Sequence, residues 1–88
     1  MNAQLDTSHG IRALPLVLDA IDIVLRRLES LTPSPDVVAL RAAALRHLRE
    51  AQEWDRARPD QDEQERLMRR VLGLHVGTAR LEREAGGP

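Results

Sequence analysis

Eighty-eight residues form one domain and leave no room for two cores. With no Cys, the chain has neither disulfides nor a thiolate metal site, and with no Phe, no Tyr and a single Trp its core must be built from Leu, Val, Ile and Ala. All thirteen basic residues are Arg, and a net charge of −1 excludes a general polyanion binder.

Met1 to Arg12 is polar and shows no hydrophobic period, so residues 1–12 are expected to form a flexible tail. A first helix is predicted from Ala13 to Leu31, with Pro15 in its first turn, where the missing N–H costs nothing. Leu14, Leu18, Ile21, Leu25 and Leu28 recur at spacings of four, three, four and three, which places them on one face. Leu16, Val17, Ala20, Ile23 and Val24 widen that face to most of the circumference. Asp19, Asp22, Arg26 and Glu29 form the only polar stripe. A helix this apolar must be covered on more than one side. Leu18, Ile21, Leu25 and Leu28 are the expected core, and Leu16 and Ile23 an outward contact surface.

Thr32-Pro33-Ser34-Pro35-Asp36 is a strong break. Ser34 suits an N-cap, Pro35 the first helical position and Asp36 the positive end of the helix dipole. A second helix is predicted over 36–57, with Val37, Leu40, Ala44, Leu48 and Ala51 as its stripe. Arg46 with Glu50, and Arg49 with Glu53, have the spacing of ion pairs along a helix. Trp54 lies about one turn past Ala51, near the helix end. There it can cap the end of the core; tryptophan is also frequent at interface hot spots, so Trp54 joins Leu16 and Ile23 as a candidate contact residue.

Arg58-Pro59-Asp60 ends that helix, and Asp60 followed by Glu63 is a start like a capping box. A third helix is predicted over 60–84. Leu67, Val71, Leu74, Thr78 and Leu81 keep the four-three spacing, with Met68, Leu72 and Ala79 beside them. Asp62 with Arg66, and Glu65 with Arg69, are further candidate pairs. Gly73 and Gly77 either permit a close helix crossing or break the helix. Residues 86–88, Gly-Gly-Pro, are expected to be a disordered end.

Three short stretches have resemblances. Leu72-Gly73-Leu74-His75-Val76-Gly77-Thr78-Ala79-Arg80 resembles the turn and recognition-helix start of bacterial helix-turn-helix regulators and sigma-factor DNA-binding regions. That likeness implies a DNA-binding segment over 62–84, with Thr78, Arg80 and Arg83 facing nucleic acid. Arg69 and Glu82 depart from the pattern, standing where the family carries an alanine and a core aliphatic residue. Ser8-His9-Gly10-Ile11-Arg12-Ala13-Leu14-Pro15 resembles the phospho-accepting histidine box of sensor kinases, with proline six residues after the histidine instead of five. Ala51-Gln52-Glu53-Trp54-Asp55, between two amphipathic helices, resembles hairpins of flagellar and type III secretion chaperones.

His47 and Glu50 are three apart on one helix, but one such pair falls short of a di-metal bundle site. No nucleophile triad, P-loop or dinucleotide fingerprint is present, so no enzyme activity, metal or cofactor is expected.

The expected fold is all-α: a three-helix up-down-up bundle, or a helical hairpin plus a packed N-terminal helix, that dimerises. The expected function is a non-enzymatic protein–protein interaction module, such as an adaptor, chaperone or assembly subunit; the alternative is a small DNA-binding regulator. The expected partner is a protein or a second copy, with nucleic acid second. No apolar run is long enough to span a membrane and no leader is read, so a cytoplasmic protein is expected. The dimer follows from the first helix, the competing reading being that the N-terminal tail folds back and lays Leu5 or Ile11 over its edge. In a lone three-helix bundle Leu16 and Ile23 sit at a wet edge, forfeiting ~1.5–3 kcal/mol for each large side chain left exposed. A small domain has only ~5–15 kcal/mol of net stability.

Overall fold

The computed structural model describes residues 2–86, with side chains described from residue 13 onward. The chain orders as α1 (Asn2–Glu29), α2 (Pro35–Gln52), α3 (Trp54–Ala57) and α4 (Gln61–Gly86), and no strand occurs among the described residues.

The helix boundaries follow from local chemistry. Ser34 has extended backbone and its Oγ accepts from the Val37 N–H at 3.2 Å, with Pro35 opening α2. Ahead of α4, Asp60 Oδ1 accepts from the Glu63 N–H at 2.8 Å. Between them Arg58 takes a left-handed conformation, φ 51°, and its N–H donates to the Trp54 carbonyl at 2.9 Å, which closes α3.

Two boundaries differ from the sequence reading. α1 begins at Asn2 instead of near Ala13, which moves Pro15 from the first turn to the interior. There its missing N–H leaves the Ile11 carbonyl without its usual helical donor. The side chains of Leu5, His9 and Ile11 lie outside the described ones, as do Gly87 and Pro88 of the expected disordered end. The helix expected over 36–57 is interrupted at Glu53, whose φ −86° and ψ −3° lie at the edge of the right-handed α region, toward the bridge. α4 instead runs unbroken through Gly73 and Gly77.

Two pairs of contacts set the directions. Ala20 meets His75 and Arg27 meets Glu82, seven residues further along both helices, so α1 and α4 run parallel. Leu40 lies against Gly77 and Glu50 against Arg70, so α2 runs antiparallel to α4. The long helices are thus arranged up-down-up, and each packs on the other two.

The core takes Val17, Ile21, Val24 and Leu28 from α1, Val37, Ala44 and Ala51 from α2, and Leu67, Val71 and Leu74 from α4. Ile21 and Leu28 are buried as expected. Leu18 and Leu25 are only half-buried, because α1 is turned toward its valines. Thr78 is buried too, its hydroxyl donating to the Leu74 carbonyl at 2.7 Å.

Candidate interaction surface

The parallel α1/α4 seam is fixed by polar contacts. His75 Nε2 lies 3.0 Å from the Ala20 carbonyl oxygen, which can only accept. Arg27 Nη1 lies 3.4 Å from His75 Nδ1, and a guanidinium can only donate. Both contacts fit one neutral tautomer, with the hydrogen on Nε2. Arg27 also donates from Nε to Glu82 at 2.9 Å and from Nη2 to the other carboxylate oxygen. This fork holds Glu82 below its ordinary carboxyl pKa, chiefly through the hydrogen bond, with desolvation opposing and the positive charge adding.

An apolar strip borders this seam. Residues three or four apart share a helix face. Leu16 and Ile23 therefore flank Ala20 on α1, while Leu72 and Ala79 flank His75 on α4 and Val76 lies one turn from both. Leu16 is 66% exposed, Ile23 43%, Leu72 54% and Val76 70%. Single exposed apolar side chains are ordinary; these four lie together along one seam.

The α2/α4 seam is the reverse. Glu50 pairs with Arg70 at 3.1 Å, and Glu50, Glu63, Arg66, Arg69 and Arg70 line an open groove there. His47 on the same flank is held below its ordinary imidazole pKa, by desolvation first, then by the Arg70 charge. Val38 and Leu45 are also exposed, on the far flank of α2 from Glu50.

Of the expected contact residues, Leu16 and Ile23 fall together on the strip. Trp54 does not: it is 5% exposed and belongs to the core, packed where α2 ends. Leu72 and Val76 were missed as surface residues. Their four-residue spacing, on a face outside the buried row of α4, was the available signal. Within the polar stripe of α1, Asp22 pairs with Arg26 at 2.9 Å. Arg46–Glu50, Arg49–Glu53, Asp62–Arg66 and Glu65–Arg69 do not form. Glu50 turns across the seam to Arg70, and Glu53 lies 3.8 Å from Arg56.

The segment expected to read DNA lacks its turn, because α4 is continuous through Gly73. Thr78 is buried, and Arg80 faces Glu84 at 3.4 Å. Arg83 is exposed, but without a turn no recognition helix projects from the bundle. Glu82, in place of a core aliphatic residue, is bound to Arg27. Among the described residues no group of three or more His, Asp or Glu is placed to hold a metal, and no helix is long and apolar enough to cross a membrane. Comparisons with protein families, with characterised proteins and with solved structures find no match for this chain.

Proposed function

We propose that this chain is a non-enzymatic interaction module of the cytoplasm, acting as an adaptor, chaperone or assembly subunit by packing its helices against a second copy or another protein. The observation that supports this reading is the strip of Leu16, Ile23, Leu72 and Val76 along the α1/α4 seam. Covering it recovers ~1.5–3 kcal/mol per fully buried large side chain. That is a large sum beside the few kcal/mol a domain of this size retains.

Sedimentation velocity tests the reading. The native chain is expected to sediment as a larger species than one chain. Ile23→Glu is expected to sediment as a folded monomer, since Ile23 lies outside the core and a charge there opposes burial. An unchanged sedimentation coefficient rejects the strip as a surface for self-association.

A further inference from the structure

We propose that the strip is covered by a second copy of this chain in one defined arrangement: a two-fold axis crosses the helices at the level of Leu74, laying α4 antiparallel on α4 and α1 antiparallel on α1. This rests on the strip being a contact surface and adds its occupant and geometry.

The first argument is a symmetry in α4. Glu65, Leu72, Val76 and Arg83 are spaced by seven, four and seven residues, which keeps them on one helix face. Residues 65 and 83 are equidistant from Leu74, as are 72 and 76. A two-fold axis at Leu74 therefore sets Leu72 on the partner's Val76 and Glu65 opposite the partner's Arg83, each twice. Glu65 and Arg83 are exposed, and neither makes an ion pair among the described residues. Arg27 and Arg80, by contrast, already have Glu82 and Glu84.

The second argument is that α1 has the same centre. Leu16 and Ile23 are symmetric about the Asp19–Ala20 peptide, and the Ala20–His75 contact puts that point level with Leu74 and His75. The centres of the two strips agree to within one residue, about 1.5 Å along a helix. One axis thus serves both helices, with Leu16 meeting the partner's Ile23 and Asp19 at the wet margin.

The third argument is area. α4 has 26 residues and is about 39 Å long at ~1.5 Å per residue. The bundle is 20 × 18 Å in cross-section. The α1/α4 face therefore presents about 800 Å² in projection, large enough for what each partner contributes to an interface of standard size. A parallel dimer lays α1 on α4 and separates Glu65 from Arg83 by the ~27 Å of eighteen residues, so it leaves both charges alone.

A charge exchange in the full chain tests this, read by sedimentation equilibrium, with circular dichroism to confirm folding. Arg83→Glu puts like charges opposite each other at two symmetric places. It is expected to raise the dimer dissociation constant about tenfold, two exposed pairs each contributing up to ~1 kcal/mol. The double variant E65R/R83E restores opposite charges and is expected to return the constant to the native value. If Ile23→Glu dissociates the dimer while Arg83→Glu has no effect, or if the exchange fails to restore what Arg83→Glu loses, the antiparallel geometry is overturned and the strip stands as a contact surface. A native chain that stays monomeric at millimolar concentration overturns the second copy as occupant.

Discussion

The two seams that α4 makes with its neighbours have opposite outer margins. Toward α1 the margin is Leu72 and Val76, facing Leu16 and Ile23. Toward α2 it is Arg66, Arg69 and Arg70, facing Glu50. Both margins border the same buried row of Leu67, Val71, Leu74 and Thr78, so the core does not distinguish them. What differs is the residue one helical step to either side. Charged margins keep their hydration and need no further partner. Apolar margins forfeit burial until something covers them. The polar contacts of the α1/α4 seam, Arg27 with Glu82 and His75 with Ala20, fix its alignment without hiding its apolar border.

The largest effect is expected inside the bundle, beneath both seams. Ile21 is fully buried, and Ile21→Ala should cost ~2–5 kcal/mol of unfolding free energy through lost burial and the cavity it leaves. Leu72→Gln on the strip should stay within about 0.5 kcal/mol in the monomer while weakening association. Urea unfolding of both variants checks the contrast. Equal losses would mean that strip and core are one surface, and the distinction between margins would fail.

Much of this architecture was legible in the sequence because local chemistry decided it. Ser34 and Pro35 opened α2 as read, Asp60 capped α4, and the period of Leu67, Val71, Leu74 and Thr78 matched the buried row. α1 was harder, since apolar residues surround it. Periodicity then cannot choose between the Leu18/Leu25 row and the Val17/Val24 row, and only the positions of α2 and α4 decide. Trp54 follows Ala51 by one turn, which allows either a core cap or an outward contact, and the fold takes the core position. The unformed ion pairs failed for a related reason: Glu50 prefers a cross-helix arginine that the sequence of α2 alone does not show. For the strip, sequence supplied the α1 half and missed the α4 half, because the parallel pairing that unites them is a tertiary fact.

The two glycines of α4 sharpen the comparison at an intermediate scale. A Cβ at Gly73 meets nothing within 4 Å, so Gly73→Ala should collect the full helical gain of ~0.8–1.0 kcal/mol. A Cβ at Gly77 comes within 3.3 Å of Leu40 Cδ2 on α2. Gly77→Ala should therefore gain less, the Leu40 methyls having to give way. Thermal unfolding of the two variants ranks them. A larger gain at Gly77 would show that the α2/α4 crossing is looser than described.

The smallest effects are expected from pH, and the two seams should respond in different ranges. His47, beside the α2/α4 seam, is held below its ordinary value of 6.5, by desolvation first and by Arg70 second, with Arg46 adding and Glu50 opposing. The unfolded chain therefore takes up that proton before the folded one does. The stability linked to His47 is complete above the ordinary imidazole range and declines as pH falls through it toward the folded value. Glu82, at the α1/α4 seam, is held below its ordinary 4.5, chiefly by the Arg27 hydrogen bond, with desolvation opposing and the Arg27 charge adding. Its contribution is complete above the ordinary carboxyl range and is lost as pH falls through the lower folded value. Urea midpoints measured against pH should thus descend in two steps, imidazole first and carboxyl second. His47→Gln should flatten only the upper step, and Arg27→Gln should diminish only the lower one, because each variant alters one seam. A single variant that removes both steps would show that the seams are coupled through α4 and do not titrate independently.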